Sequence, residues 1–277
     1  MRLGGPLFGE LKDPAAWVEA ARRAGYRACY APVGVDASDA EVAAYVEAAA
    51  KADLVIAEVG AWSNPLSSDE ATRNAALELC KRSLDLADRL GARCCVNIAG
   101  SRGEIWHGPS PLDLTEETFE MIVETVREII DAVNPTRTVY AIETMPWMYP
   151  DSADSYLRLI HAIDRKACAA HFDPVNLVCS PQRYFDTGAL LRECFEKLGP
   201  YIRSCHAKDV RMSERFLVHI DEVRPGLGTL DYGTFLRELD KLDPDTPLML
   251  EHLPNEEEYR AAADYVRSIA AEEGIAL

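Results

Sequence analysis

The chain has 277 residues, of which 48% are hydrophobic and 27% charged, with 16 glycines and 16 prolines. This composition is that of an ordinary globular protein and excludes collagen-like, low-complexity and largely disordered chains. The 46 acidic and 29 basic residues give a formal net charge of −17, and no basic patch stands out. Nucleic acid and anionic membrane surfaces are therefore not expected as partners.

No apolar run approaches the ~20 residues that a membrane span needs, and the first residues do not read as a signal peptide. A cytoplasmic protein is expected. The eight cysteines show no CxxC spacing. They predict reduced, buried thiols rather than disulfides or a thiolate zinc site.

Short apolar segments alternate with longer amphipathic ones along the whole chain. Asp13 followed by Pro14 predicts the start of the first helix, and Gly25 predicts its end. Apolar residues recur every three to four positions over 119–133, which predicts a long amphipathic helix. The eight predicted strands are 2–8, 28–32, 54–59, 93–98, 138–144, 168–173, 202–206 and 248–253.

Eight alternations of strand and helix are typical of a parallel sheet covered by helices, and in about 280 residues they fit a closed (β/α)₈ TIM barrel. An open doubly wound sheet is the alternative, but the first strand–helix turn has no GxGxxG motif. No linker is evident, so residues 1–277 are expected to form a single domain. Two longer loops are predicted at 100–114 and 207–228.

Four consecutive predicted strands each end in a side chain that can bind a metal. These residues are Glu143, Asp173, His206 and Glu251. In a barrel, the carboxyl ends of the strands meet on one face, where active sites form. Carboxylates gathered in an apolar mouth repel one another, and a divalent cation removes that conflict. The sequence therefore predicts one metal site.

Three carboxylates and one imidazole are hard or borderline ligands, and no thiolate is among them. Such a set favours Mn²⁺, Mg²⁺ or Co²⁺ in six-coordinate geometry, with two positions left for water or substrate oxygens. Zn²⁺ is compatible with the set but less natural for it. Mn²⁺ is the metal that we expect.

Short motifs around these residues resemble the sugar phosphate isomerase/epimerase family of xylose isomerase-like barrels. They are GAWSNP at 60–65, AIETMPW at 141–147, HFDP at 171–174, CHAKD at 205–209 and LEH at 250–252. The resemblance spans essentially the whole chain. It implies a Glu-Asp-His-Glu metal site at the same four residues. It also implies that Glu143 and Glu251 exchange protons with substrate, as the corresponding glutamates do in related ketose 3-epimerases.

The ligand set suits proton transfer at a carbon next to a carbonyl of a small sugar or polyol ketone, because a metal stabilises the enediolate that forms. Return of the proton to the opposite face is epimerisation, and return to the neighbouring carbon is isomerisation. Loss of a β-hydroxyl instead would make the protein a lyase, acting in keto-inositol dehydration or in cleavage of a carbohydrate conjugate. A non-catalytic barrel that binds a sugar or a partner is a further alternative, and a homo-oligomer is compatible with each reading.

Further residues are candidates for contact with substrate. Relatives often carry a histidine three residues after the aspartate, where this chain has Asn176. Lys208 follows the metal histidine by two and would polarise a substrate oxygen, unless it forms a salt bridge with Asp209 or Glu58. The remaining candidates lie at strand ends or in loops and are Trp62, Trp147, His107 and Glu58. His171 is expected one layer deeper in the barrel, and His252 is expected to point away from the site.

Overall fold

The computed structural model describes all residues 1–277 and contains eleven strands and nine α-helices. The strands are β1 (Arg2–Gly5), β2 (Ala28–Cys29), β3 (Val55–Ile56), β4 (Glu58–Gly60), β5 (Cys94–Asn97), β6 (Tyr140–Glu143), β7 (Cys168–Phe172), β8 (Ile202–Ala207), β9 (Asp209–Met212), β10 (Ile220–Val223) and β11 (Pro247–Leu250). The helices are α1 (Pro14–Ala24), α2 (Asp39–Ala52), α3 (Glu70–Leu90), α4 (Glu116–Val133), α5 (Ala153–Ile163), α6 (Pro181–Phe185), α7 (Thr187–Leu198), α8 (Tyr232–Leu239) and α9 (Glu256–Glu273).

Nine of the strands form one parallel sheet in the order β3-β2-β1-β11-β8-β7-β6-β5-β4. Its two ends meet at Ala57, which separates β3 from β4. The Ala57 amide donates to the carbonyl of Cys29 at 2.8 Å, and the Cys94 amide donates to the carbonyl of Ala57 at 3.1 Å. The third predicted strand is thus split into two pieces that each pair with a different neighbour. The predicted TIM barrel is confirmed.

Helix boundaries follow the capping signals of the sequence. The side chain of Asp13 accepts a hydrogen bond from the Ala16 amide at 2.8 Å, Pro14 opens α1, and Gly25 ends it with φ 66°. On α4 the apolar stripe is buried except for Val133, which is half-buried. A cluster of 63 buried apolar residues joins the strands to the helices around them. This core fixes the positions of the strand ends that carry the candidate site.

The predicted loop 207–228 is partly ordered as an antiparallel hairpin of β9 and β10. Asp209 holds the base of this hairpin, because its buried carboxylate accepts hydrogen bonds from the amides of Val210, Gly226, Gly228 and Leu230. The sequence of β10 did not predict a strand, since the adjacent residues Asp221 and Glu222 place a charge on each of its faces. The return segment 226–230 is thereby tied to the end of β8.

No helix combines the length and the hydrophobicity that crossing a membrane requires. All eight cysteines are free thiols, seven of them buried, and Cys179 is exposed.

Close packing of β1 against β2 makes a specific prediction about two glycines. An added Cβ at Gly4 would collide with the backbone carbonyl of Ala28 and would lie 2.6 Å from Sδ of Met249, whereas a Cβ at Gly34 meets no atom within 4 Å. We expect Gly4→Ala to lower the free energy of unfolding by about 1–3 kcal/mol through overpacking. Gly34→Ala, the matched control, is expected to be neutral or slightly stabilising. Urea denaturation of both variants checks this, and equal stabilities would contradict the packing described for β1.

Candidate metal centre

The carboxyl ends of four neighbouring strands bring four metal-binding side chains together. Glu143 is the last residue of β6 and His206 lies in β8, while Asp173 and Glu251 directly follow β7 and β11. One ligand atom from each residue lies within 4.8 Å of the others. Asp173 and His206 are fully buried, Glu143 is 5% exposed, and Glu251 is half-buried. The structure therefore assembles all four residues that the sequence singled out.

The Nδ1 atom of His206 faces the three carboxylates. It lies 3.0 Å from Glu251 Oε2, 3.2 Å from Glu143 Oε1 and 3.8 Å from Asp173 Oδ2. Neighbouring ligands of a cation coordinated at about 2.1 Å in octahedral geometry lie about 3 Å apart. The donor set therefore fits a six-coordinate divalent cation held by three carboxylate oxygens and one imidazole nitrogen.

The ammonium group of Lys208 reaches into the same cluster. Its Nζ atom lies 2.7 Å from both Asp173 Oδ2 and Glu251 Oε2, and 3.9 Å from Glu143 Oε1. The lysine is 1% exposed and forms no ion pair with Asp209 or Glu58, the two partners that the sequence offered. Instead it supplies positive charge directly to the carboxylates of the centre.

Buried opposite charges hold these groups ionised. Burial by itself raises the pKa of Asp173, but Lys208 and His206 outweigh it and hold this pKa well below its usual range. Burial likewise raises the pKa of Glu251, but His206 and Lys208 outweigh this effect and lower the pKa to about 2. Burial lowers the pKa of His206, yet the surrounding carboxylates, Glu251 first, raise it well above its ordinary value. The cluster thus requires cations at its centre at neutral pH.

A second layer of polar side chains lies beneath the centre, inside the barrel. Glu58 Oε1 accepts a hydrogen bond from His171 Nε2 at 2.9 Å and another from the hydroxyl of Ser204. Glu58 Oε2 lies 3.4 Å from Nε2 of His206, the ring nitrogen that faces away from the other carboxylates. Neither atom has a hydrogen-bond partner, so Glu58 faces His206 as a negative charge on the side of the ring away from the centre.

This lower layer changes one expectation and agrees with another. Glu58 is 1% exposed and does not line the cavity above the centre, so it does not reach a position where substrate would contact it. His171 is fully buried one layer below the candidate metal ligands, as the sequence analysis expected. Ser204 was missed, although its position two residues before His206 on one strand puts both side chains on the same face.

A cavity of about 420 Å³ opens above the candidate metal centre. Of the four candidate metal ligands, only Glu143 and Glu251 line it. Five of the six predicted substrate-contacting residues also line it, together with Ile98, Trp106, Met145 and His252. These five are Trp62, His107, Trp147, Asn176 and Lys208.

Two contacts arrange the walls of this cavity. The amide nitrogen of Asn176 donates to Glu143 Oε1 and to Asp173 Oδ2, both at 3.2 Å. The indole N–H of Trp147 donates to the carbonyl of His107 at 2.9 Å, which joins two of the loops that cover the cavity. Asn176 therefore leaves its carbonyl oxygen as an acceptor beside two ligands of the centre.

The expectation for His252 is wrong. Strand alternation predicted that it points away from the site, but β11 ends at Leu250 and His252 has left-handed backbone, with φ 57°. Its ring therefore turns into the cavity wall, with Nδ1 3.2 Å from the carboxylate of Glu222 and Nε2 3.5 Å from Glu251 Oε2. The hydrogen bond with Glu222 is the main cause of a raised pKa of His252.

Residues 18–269 match the family described as xylose isomerase-like TIM barrel, and the chain belongs to this family. No curated protein matches the chain significantly. Solved structures of similar fold share little sequence identity with it, so the likeness concerns the fold.

Three such structures illustrate the range of proteins with this fold. A xylose isomerase-like TIM barrel protein from Mycobacterium smegmatis in complex with magnesium has 16% identity and a TM-score of 0.68, covering 98% of this chain and 97% of that one. D-psicose 3-epimerase with D-tagatose from Clostridium cellulolyticum has 14% identity and a TM-score of 0.69, covering 97% and 99%. Endonuclease IV from Thermus thermophilus has 18% identity and a TM-score of 0.69, covering 98% and 100%.

Removing the Lys208 cation tests the electrostatics of the centre. In protein freed of metal by a chelator, we expect Lys208→Met to lower the free energy of unfolding at pH 7 by about 3–5 kcal/mol, since buried carboxylates lose their partner. Lys81→Met is the matched control, because Lys81 pairs with Glu78 and Glu128 on the surface, where ion pairs contribute at most about 1 kcal/mol.

The pH dependence of this deficit follows from the lowered carboxyl pKa values. A group with a depressed folded-state pKa contributes stability above its unfolded pKa of about 4, and that stability is lost as the pH falls through the folded-state value. The deficit of Lys208→Met should therefore be largest at pH 7 and should shrink toward pH 3. Urea denaturation at both pH values measures it. A deficit of equal size at pH 7 and pH 3 would contradict the ion pairs described.

Proposed function

We propose that the chain is a divalent-metal-dependent enzyme that moves a proton at the carbon next to a carbonyl group of a small sugar or polyol ketone, as an epimerase or isomerase. One observation carries the proposal: of the four metal-binding residues, the two glutamates alone face the cavity. Asp173 and His206 are fully buried behind them. This division supports a role for Asp173 and His206 in holding the centre, and for Glu143 and Glu251 in contacting a bound molecule as well.

The residues present fit a metal with oxygen and nitrogen ligands, for the reasons of donor type and spacing given above. Glu143, Asp173, His206 and Glu251 would hold it, and Glu58 lies behind the His206 ring. Such a cation supplies Lewis-acid stabilisation of the negative charge that develops on a carbonyl oxygen when a neighbouring C–H bond is broken. Mn²⁺ is the metal that we propose.

The strands that carry the two glutamates are not neighbours, which supports proton transfer from different sides of a substrate. β6, which carries Glu143, and the end of β11, which carries Glu251, are separated in the barrel by β7 and β8. The pKa of Glu251 is lowered to about 2, so this carboxylate is ionised at neutral pH, which is the form that a proton acceptor needs. A proton removed by one glutamate and returned by the other at the same carbon inverts its configuration, and return at the neighbouring carbon interconverts aldose and ketose.

Other wall residues suit the binding of a small polar molecule. Lys208 and Asn176 offer a charged donor and an amide next to the glutamates, and three tryptophans supply aromatic surface. A volume of about 420 Å³ lies at the lower end of the range for small-molecule sites. We infer that the substrate is a small hydroxylated carbonyl compound, oriented by Lys208 and Asn176 and covered by Trp62 and Trp147.

The magnesium complex and the epimerase among proteins of similar fold support this proposal. Endonuclease IV shares the fold, but we expect this chain not to bind DNA, because its net charge of −17 would be repelled by phosphates. Its six histidines are also few for a site of several zinc ions. A single domain over residues 1–277, a cytoplasmic location and homo-oligomer formation stay predictions.

Solvent isotope exchange tests the proposed reaction. The protein loaded with Mn²⁺ is incubated in D₂O with a panel of ketoses, their phosphates and keto-polyols, and the products are read by NMR and mass spectrometry. We expect deuterium to enter the carbon next to the carbonyl without net loss of water. Loss of water would make the protein a lyase, and absence of exchange across the panel would support a sugar-binding barrel instead.

Substitution of the two glutamates assigns the proton transfer within the same experiment. Glu143→Gln and Glu251→Gln keep the side-chain shape and one ligand oxygen but remove the carboxylate that accepts a proton. Each should slow turnover by about 10²–10⁴-fold while the variant still folds and binds Mn²⁺. Glu120→Gln, on the exposed face of α4, is the matched control. Near-normal turnover in both variants, with metal occupancy verified, would contradict the assignment and make Lys208 the first alternative.

A further inference from the structure

A larger cavity lies at the opposite end of the barrel from the candidate metal centre. It has a volume of about 1080 Å³ and is formed by the segments that lead into β5, β6, β7, β8 and β11. These are the amino-terminal ends of the barrel strands, whereas the metal centre lies at their carboxyl ends. The cavity is thus separate from the site already described, and what it binds is independent of the proposed function.

The charge of its walls is opposite to that of the protein. Two acidic residues, Asp131 and Asp243, line the cavity, in a chain whose net charge is −17. Six basic residues line it, and they are Arg93, Arg137, Arg165, Lys166, Arg203 and Lys241. They come from five separate segments of the chain, so the fold alone collects them.

Three of the six cations are balanced by carboxylates. Arg93 pairs with Asp243 at 3.1 Å, and Arg165 makes two bonds to Asp131 at 2.6 and 2.7 Å. The third, Lys241, reaches the carboxylate of Glu238, three residues before it, at 2.6 Å. These pairs leave the other three cations to be accounted for.

The side-chain nitrogens of Arg137, Lys166 and Arg203 have no carboxylate within 4.0 Å, and the carboxylate of Asp88 accepts from the backbone amide of Arg137 instead. Arg203 donates through Nη1 to the carbonyls of Pro200 at 2.9 Å and Ile202 at 3.0 Å. Arg137 donates through Nη1 to a single carbonyl at 3.2 Å, and Lys166 is exposed without a partner. Their charges are therefore uncompensated on the wall of one cavity.

The guanidinium groups of Arg93 and Arg203 show that gathering these cations costs free energy. Burial and then the nearby Arg93 cation lower the pKa of Arg203. The Nε atom of Arg93 is buried and has no hydrogen-bond partner. A multivalent anion in the cavity would offset the repulsion and accept hydrogen bonds from these donors, since guanidinium groups match the oxygens of phosphate in pairs.

We propose that this cavity is a binding site for a small phosphate-bearing molecule. The three cations without carboxylate partners, Arg137, Lys166 and Arg203, bind its phosphate oxygens, and Arg93 contributes its free N–H. The shared chemistry covers inorganic pyrophosphate as well as an organic phosphate ester.

Calorimetric titration of pyrophosphate and of AMP into the full chain tests the proposal. The protein is used both untreated and after chelator treatment, which separates binding in this cavity from binding to a metal at the other end. The variants are Arg203→Gln, Arg137→Glu and Lys166→Glu. The matched control is Arg192→Glu on α7, an exposed arginine without an ion pair, because it changes the net charge by the same amount as the two reversals.

We expect saturable binding to the chelator-treated wild type, with the dissociation constant raised about tenfold in each of the three variants, the loss of about one charge-assisted hydrogen bond. Arg192→Glu should change it less than twofold. Tighter binding of AMP would indicate a phosphate ester, and tighter binding of pyrophosphate an inorganic ligand. Since Lys166 makes no contact that folding needs, its variant remains informative if Arg203→Gln fails to fold.

Absence of binding to the wild type at millimolar concentration would overturn the proposal. Equal weakening by Arg192→Glu would do the same, because the effect would then be one of net charge. In either case Arg137 and Arg203 would serve only the backbone carbonyl groups to which they donate.

Discussion

Three carboxylates directed at one buried imidazole nitrogen are the constraint on which the carboxyl end of this barrel depends. Glu143, Asp173 and Glu251 would repel one another if they were ionised without a counter-charge in a space of this size. The Lys208 ammonium group already supplies one positive charge at 2.7 Å from two of them. A divalent cation would supply two, bound by oxygen and nitrogen atoms at suitable spacing. The centre is therefore built to hold positive charge.

The barrel topology explains how one chain maintains this arrangement together with a second charged cavity of opposite sign. All nine strands run in the same direction, so acidic residues at strand ends meet on one face, and residues that precede the strands meet on the other. Between the two faces, Glu58, His171 and Ser204 form a hydrogen-bonded polar layer inside the barrel. This polar layer connects to the metal centre through His206.

Strand ends were the most predictable part of the site. The positions of Glu143, Asp173 and His206 followed from apolar segments that each end in a polar residue, because parallel strands bring such ends together. The TIM barrel followed from the same alternation of strands and helices. The expectation for Glu58 failed since the third strand is split at Ala57 and continues to Gly60, which leaves Glu58 deep in the barrel and not at its mouth.

Other features had no local signal. The left-handed backbone of His252 breaks the strand alternation that the prediction assumed, and no residue next to it in the sequence indicates this conformation. The sequence did not indicate the basic cavity, because its cationic residues are scattered from Arg93 to Lys241 and form no run of basic residues. The sequence analysis singled out Lys208 as a candidate for contact with substrate but did not predict its ion-pair partners. These partners depend on where separate strands end in three dimensions.

The central claim is that Glu143, Asp173, His206 and Glu251 together bind one divalent cation. Anomalous diffraction at the manganese absorption edge, from crystals grown with Mn²⁺ and without chelator, tests it most directly. The account predicts one strong peak about 2 Å from His206 Nδ1 and from one oxygen of each carboxylate, with Glu143 and Glu251 still lining the cavity. A fully occupied peak elsewhere in the molecule, or no peak between these four side chains, would contradict it.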